Sequence, residues 1–313
     1  MTILHFAQIS DIHISALGDR YDMLSGQSAG FLRRICRELN RLDSLDFVLI
    51  TGDLADTAAQ SEFDQFQTII KQLHKPYYII PGNHDRRDAE QTEGLTRHDF
   101  ARYFNPQIED RPTDPAWQAG YWSRPVAEGV QLIGLDSIVD DDWNGRVDEM
   151  QWAWLEAELA QHADKFVMVA IHHPLHKLAP IDDLPKWGKF VCDNGPELLA
   201  LFDQHPQVKL VLTGHHHLNK AEEVGQRLHL ACPAMGLYPC AYRTLTLSDQ
   251  PDGRWQLTWQ THSATDAATV TLARERMYTT WLEHVGMPVE FVEEHIALAV
   301  GGEWDRAGAV SLE

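Results

Sequence analysis

The chain predicts an α/β fold, a sheet wrapped by crossover helices, on three observations. Apolar runs of strand length alternate with stretches of helical period through the first third of the sequence. Those runs end, one after another, in Gly, Asn, Asp and His. The 44% of hydrophobic residues over 313 positions is ordinary for a globular protein, and enough for one large α/β domain or two smaller ones.

The first strand covers Ile3 to Ile9 and breaks at Ser10-Asp11-Ile12-His13, followed by a loop over 14–27. Phe31, Leu32, Ile35 and Leu39 fall on one face of a helix from Ala29 to Leu42. A second strand, Asp46 to Ile50, ends in Thr51-Gly52-Asp53, and a helix over Ala58 to Leu73 carries Phe63, Phe66, Ile69, Ile70 and Leu73 inward. The run Tyr77 to Ile80 breaks at Pro81-Gly82-Asn83-His84-Asp85, with a helix expected from there through Tyr103. After an irregular stretch over 105–119 come strands at Gly120 to Ser123 and Val130 to Leu135. A helix over Glu149 to Ala160 is expected to turn Met150, Trp154 and Leu155 inward.

The strand Phe166 to Ile171 ends in His172-His173-Pro174, and a long loop over 175–194 has the length of a lid or binding loop. A helix over Glu197 to Phe202 leads to the strand Val208 to Leu212, which ends in Thr213-Gly214-His215-His216-His217. From Lys220 short alternating strands predict antiparallel hairpins, and from Thr269 the period turns helical, with a last helix between Pro288 and Gly301. The expected division is a domain over 1–265 and a C-terminal helical extension over 266–313 that packs on it or at a dimer contact.

The formal charge of −20 excludes extended nucleic acid as a natural partner, because such a surface repels polyanions. A protein this acidic that acted on a phosphate would need local positive charge, and bound cations supply it better than 26 Lys and Arg against 46 acids. No apolar run reaches the roughly 18 residues of a membrane span, and Met1-Thr2-Ile3-Leu4-His5 enters directly into a strand, so a cytoplasmic location is expected. Cys36, Cys192, Cys232 and Cys240 are scattered, which predicts reduced, buried thiols and no thiolate zinc site.

Five strand ends thus carry metal-ligand residue types: Asp11 with His13, Asp53, Asn83 with His84, His172, and His215 with His217. C-terminal strand ends of an α/β sheet share a crevice, so these side chains should converge. On an extended chain Asp11 and His13 point to one side, as do His215 and His217, with His216 turned away. Mixed imidazole and carboxylate donors suit Zn, Mn or Fe better than Ca or Mg. Seven donors exceed the need of one ion and suit two, an arrangement that clamps the attacking and leaving oxygens of a phosphoryl displacement and acidifies a bridging water.

The set Asp11-x-His13, Gly52-Asp53, Gly82-Asn83-His84-Asp85, His172-x-Pro174 and Gly214-His215-x-His217 resembles the calcineurin-like metallophosphoesterase superfamily over about residues 1–262. Within it the resemblance is to the class III cyclic-nucleotide and glycerophosphodiester phosphodiesterases of bacteria. That resemblance implies a four-layer αββα sandwich of two mixed sheets, the hairpins after Lys220 extending the second. It implies a first divalent ion on Asp11, His13 and His217, a second on Asn83, His172 and His215, and Asp53 between them. His84 would serve as proton donor or phosphate contact, and Asp85 would orient His84 or its loop.

The expected substrate is accordingly a small phosphodiester, a 3',5'-cyclic nucleotide or a glycerophosphodiester, attacked in line by a metal-bridging hydroxide. A phosphomonoesterase or nucleotide pyrophosphohydrolase on the same site is the alternative, and a non-catalytic interaction platform ranks below both. The choice of ion and the presence of a homo-oligomer stay open in the sequence. His173 and His216 are expected to bond to backbone or solvent, and His176 to face solvent. Arg86 and Arg87 are expected either to contact a phosphate or to pair with Asp88 or Glu90. Trp152, Trp154 and Trp281 read as core, leaving Trp143 and Trp187 as the tryptophans on loops that a substrate would meet.

Overall fold

Strands β1 (Ile3–Ile9), β2 (Phe47–Ile50) and β3 (Tyr77–Ile79) run parallel in the computed structural model, which describes residues 2–86, 94–104, 120–140, 142–184, 187 and 190–313. The four residues of β2 are all buried, as strands covered on both faces must be. Helices α1 (Ser25–Leu39) and α2 (Gln60–Ile70) cross between them and bury Phe31, Leu32, Ile35, Phe63, Phe66 and Ile69 against the sheet. Glu62 fixes the start of α2 by accepting from the backbone N–H of Thr57 (2.8 Å) and Ala59 (3.4 Å), two donors the helix cannot satisfy itself.

The second sheet holds β4 (Trp122–Ala127), β5 (Val130–Gly134), β6 (Phe166–Ala170), β7 (Val208–Thr213), β8 (Lys220–Val224) and β9 (Arg227–Ala231), in the order β4-β5-β6-β7-β9-β8. Its centre is parallel and its two edges are antiparallel. After a short α3 (Arg97–Phe104) on the first half, α4 (Glu149–Gln161) and α5 (Gly195–Asp203) cover the outer face of this second sheet. Phe6, Phe47, Leu49, Leu132, Met168 and Leu210 belong to the apolar layer between the sheets. The architecture is a four-layer αββα sandwich.

Several expectations are corrected. The hairpins after Lys220 divide: β8 and β9 join the second sheet, while β10 (Ala241–Asp249) and β11 (Trp255–Ser263) return to the first, β10 pairing antiparallel with β1. The expected helix after Asp85 does not start there. Asn83–Asp85 forms a single 3₁₀ turn and Arg86 is extended, its side chain drawn inward to Asp136; residues 87–93 lie outside the described ones. In α4 the inner stripe is Gln151, Leu155 and Leu159, and Met150 is 65% exposed. Gln151 takes the inward place because its amide bonds both the N–H (2.8 Å) and the carbonyl (2.7 Å) of Asp136, at the end of β5.

The C-terminal segment begins with α6 (Ala267–Thr279), capped by Asp266 accepting from the Thr269 N–H (3.0 Å). It passes into a π-helical turn, Thr280–Val285, stopped by Gly286 at φ +78°. Then come α7 (Val289–Val300) and a short α8 (Glu303–Arg306). The chain closes on β12 (Ala307–Leu312), which the helical reading did not contain; it pairs antiparallel with β11 and completes the first sheet as β12-β11-β10-β1-β2-β3.

Candidate metal centre

The carboxyl ends of β1, β2, β6 and β7, with the turn after β3, meet at one end of the sandwich. Ligand atoms of Asp11, His13, Asp53 and His217 lie within 4.8 Å of one another there, and so do those of Asp53, His172 and His215. Asp53 belongs to both groups. Its Oδ2 stands 3.5 Å from His13 Nε2 and 3.5 Å from His172 Nε2, and Asn83 Oδ1 is 3.2 Å from His172 Nε2. The seven side chains expected as metal ligands are therefore neighbours.

The convergence does not come from alternation along an extended strand. Asp11 (φ +53°), His13 (+50°), Asp53 (+54°), His215 (+65°) and His217 (+59°) all sit in the left-handed region, which costs about 1–3 kcal/mol per non-glycine residue. Backbone bonds from neighbouring strand ends hold these conformations: Asp11 N–H donates to Gly52 O (3.1 Å), His13 N–H to Asp53 O (2.9 Å), and His215 N–H to Asp11 Oδ1 (3.0 Å). Close approach explains the glycines. A Cβ on Gly82 would lie 2.1 Å from Asp53 Oδ1, and on Gly52, at φ +98°, it would lie 2.5 Å from His172 Nδ1 and 2.7 Å from Gly82 N.

The residues present fit divalent cations. Both ring nitrogens of His13 and Oδ2 of Asp11 are buried without a hydrogen-bond partner, which costs roughly 1–3 kcal/mol per group unless a cation meets them. Burial lowers the pKa of His13 and of His215 well below the usual value, keeping both imidazoles neutral, the form that coordinates. Burial opposes the charged forms of Asp53 and His172 too, but their mutual attraction outweighs it. Asp53 is held well below the carboxylate range and His172 is raised to about 9, so the centre draws positive charge to itself. His172 Nδ1 is 2.7 Å from Thr51 O, which orients its Nε2 toward Asp53.

The remaining expectations separate. His84 N–H donates to Asp53 Oδ1 (2.9 Å), its Nδ1 is 2.8 Å from Asp56 O, and its ring stands edge-on to His13 at 4.7 Å. The Asp85 carboxylate turns away from the cleft and accepts from Leu54 N–H (2.7 Å), Ala55 N–H (3.0 Å) and Gly82 N–H (2.9 Å), so it holds the loop rather than the His84 ring. Arg87, Asp88 and Glu90 lie outside the described residues, while Arg86 is turned inward. It is 1% exposed and pairs with Asp136 (2.6 Å) and with Asp140. His216 does point away, yet its partner is the buried carboxylate of Asp182 (2.6 Å), not solvent. His173 bonds Ser137 Oγ (2.8 Å) and Trp143 O (3.0 Å), and His176 bonds Glu222 (2.9 Å).

A cavity of about 400 Å³ opens over Asp53, Asn83, His84, His215 and His217. Trp143 and Trp187 line it, as the loop reading anticipated, and so does Trp281, which is also a core residue as expected. Among the described residues on its lining Arg20 is the one Lys or Arg, its Nη2 3.7 Å from Asp56 Oδ1. Asp56 was missed as a site residue, although it groups with His13 and His84 within 4.8 Å; its spacing from Asp53, one short turn later, was the available signal. Among the described residues no helix is long and apolar enough to cross a membrane, and all four cysteines are free.

The family model for calcineurin-like phosphoesterases matches residues 4–219. A 3',5'-cyclic-nucleotide phosphodiesterase of Nostoc is 31% identical over 217 residues, 68% of this chain and 71% of that protein. A glycerophosphodiester phosphodiesterase of Enterobacter lignolyticus is 28% identical over 67% of this chain and 70% of its own length. Among solved structures a dimetal phosphatase of Danio rerio superposes with a TM-score of 0.64 at 15% identity, covering 84% of this chain and 97% of that one, which speaks to the fold.

Proposed function

The chain belongs to the calcineurin-like phosphoesterase family, and from that premise we propose that it is a phosphodiesterase using two divalent ions. One observation carries the reading: two groups of donors share a single carboxylate, Asp53. Asp11, His13 and His217 would hold one ion, and Asn83, His172 and His215 the other. When bound, Mn, Fe or Zn in such a pair polarises phosphoryl oxygens and lowers the pKa of a water to near neutrality. Asp53 fixes the spacing of the two ligand sets. Asn83 donates an oxygen without adding negative charge where a phosphate must sit.

His84 faces the cavity with its Nδ1–H donating to the Asp56 carbonyl, so that as an imidazolium its Nε2–H would pass a proton to the departing alkoxide oxygen and leave the ring neutral. Arg20 supplies the cavity with fixed positive charge in an otherwise acidic protein. The proposed substrates are small phosphodiesters, cyclic nucleotides or glycerophosphodiesters, for which the relatives are named; the proposal places the enzyme in the cytoplasm.

The test is hydrolysis by purified protein loaded with Mn²⁺ or Zn²⁺, with metal content measured on the same sample. Bis-p-nitrophenyl phosphate should be cleaved faster than p-nitrophenyl phosphate, with two ions per chain. Absence of diester cleavage in a fully loaded sample would sink the proposal. A preference for the monoester would replace it with the phosphomonoesterase reading.

A further inference from the structure

Arg20 is held at the cavity by a segment far from it in the chain. It opens a tight turn: Arg20 N–H donates to Met23 O (3.1 Å) and Met23 N–H to Arg20 O (2.8 Å), with Tyr21 in the left-handed region at φ +52°. A bulky side chain takes that conformation only where its surroundings impose it. The imposing groups lie on α6 and the π-helical turn. The Arg276 guanidinium donates twice to Tyr21 O (3.1 and 2.8 Å) and stands 3.5 Å from Asp19 Oδ2, and Trp281 Nε1 donates to Asp22 Oδ2 (3.0 Å). The neighbours of Arg20 on both sides are thus tied to the C-terminal segment, and Arg20 between them lines the cavity.

The donors of Arg20 are not spent. Its Nη2 lies 3.7 Å from Asp56 Oδ1, an ionic contact longer than a hydrogen bond. Its buried Nε has no hydrogen-bond partner among the described residues. Asp56 in turn groups with His13 and His84, so the guanidinium stands across one carboxylate from a proposed metal ligand and from the proposed proton donor. A planar fork of N–H donors with a permanent charge matches the oxygens of a phosphoryl group. Such an anion supplies the acceptors that this half-buried guanidinium lacks.

We propose that Arg20 is a substrate-binding residue that grips a phosphoryl oxygen of the bound diester, and that Arg276 and Trp281 are its positioning residues. The identity of the anion rests on the phosphodiesterase reading. Arg20 lies within the residues 4–219 matched by the family model, and its supports lie beyond them. The C-terminal segment therefore acts on the site through a residue of the matched part.

Calorimetric titration of the Mn²⁺-loaded protein with inorganic phosphate tests the contact, since phosphate presents the same oxygens and needs no turnover. High salt in the titration screens distant charges and leaves the contact itself. Hydrogen bonding to a charged group corresponds to about 10- to 100-fold in affinity, and Arg20→Ala should weaken phosphate by that factor with both ions retained. Arg20→Lys should recover part of the loss, because an ammonium restores the charge without the fork. Arg276→Ala and Trp281→Phe should each weaken phosphate by a smaller factor, and raise KM for bis-p-nitrophenyl phosphate more than they lower kcat. In the Arg20→Ala background those smaller factors should vanish, which loss of packing alone would not produce. Phosphate affinity in Arg20→Ala equal to that of the wild type, or no binding by the wild type, would overturn the contact. Full additivity of the Arg276 and Trp281 variants with Arg20→Ala would overturn the positioning. Failure of the phosphodiesterase reading would show separately, as missing turnover of bis-p-nitrophenyl phosphate in a sample that binds phosphate.

Discussion

Adding one methyl group at Gly82 should disable the centre without replacing any proposed ligand. The Cβ of Gly82→Ala would stand 2.1 Å from Asp53 Oδ1 and 2.3 Å from Asp53 N, where an ordinary contact begins near 3.4 Å. Asp53 must therefore retreat by about 1 Å, and its backbone cannot do so freely, being held at φ +54° by the strand ends around it. The retreat also breaks the bond from His84 N–H to Oδ1, so both the shared carboxylate and the proposed proton donor move. Misplacement by 1 Å at a reacting centre costs on the order of 10²-fold in rate, and overpacking of this kind about 1–3 kcal/mol in stability. The assay is kcat/KM on bis-p-nitrophenyl phosphate, with bound metal counted after dialysis and stability read from urea midpoints. Gly30→Ala is the control: it lies on α1 with nothing within 4 Å of its Cβ, and should be stabilised by up to about 1 kcal/mol with activity unchanged. Two ions per chain and activity within about threefold of wild type in Gly82→Ala would refute the reasoning, because Asp53 would then not be a rigid shared ligand.

Three further outcomes are expected. Asp53→Asn should lower the content of both ions together, whereas His84→Ala should retain two ions and lose about 10²–10⁴-fold in kcat, both read on one sample by metal analysis and steady-state rates. Arg86→Met should cost about 1.5–3 kcal/mol in urea unfolding, because the buried Asp136 carboxylate loses its closest cation while keeping Arg97 at 2.9 Å. Burial lowers the His295 pKa to about 3, so between pH 6.5 and 3 the unfolded chain binds a proton that the folded chain refuses. Stability should therefore fall as pH drops below about 6.5, and the fall should be shallower in His295→Asn, as followed by urea midpoints at pH 7, 6 and 5.

The parallel strands and the polar residues at their ends were legible because both are local. A run such as Phe47 to Ile50 is buried on both faces and must be apolar, and whatever follows it emerges into the common crevice. What the one-dimensional pattern could not express was long-range pairing. Arg86 reads as a phosphate contact or a partner of Asp88 or Glu90 until the end of β5 brings Asp136 to it from 50 positions away. Trp281 reads as the inner face of a helix, and so it is, but that face also closes a cavity built mostly by earlier loops. The left-handed backbone at Asp11 and His13 was invisible for a different reason, since Asp and His are enriched in that region yet enter it too rarely for the residue type to announce it. The neighbouring glycines Gly52, Gly82 and Gly214 were the visible trace of that crowding, read as turn residues when they mark where backbone and side chain touch.

The pairing of β12 with β11 alters what kind of object the last fifty residues are. Two adjacent antiparallel strands joined by a connection make a hairpin, and here the connection contains α6, the π-turn, α7 and α8. Trp281 and His295 thus ride on the long arc of a hairpin anchored at both ends in one sheet. Such an arc can be lengthened, shortened or exchanged with little change in the loop-closure entropy of the sheet it springs from. Its own ends stay fixed relative to the metal-ligand candidates, because β1 and β10 lie in that same sheet. Removing it altogether is another matter, for β11 would then become an open edge with its N–H and C=O groups unpaired. The proposed ligands come from the strand ends of both sheets, whereas this arc springs from the first alone, so the shape of the pocket can vary on strands that carry no proposed ligand.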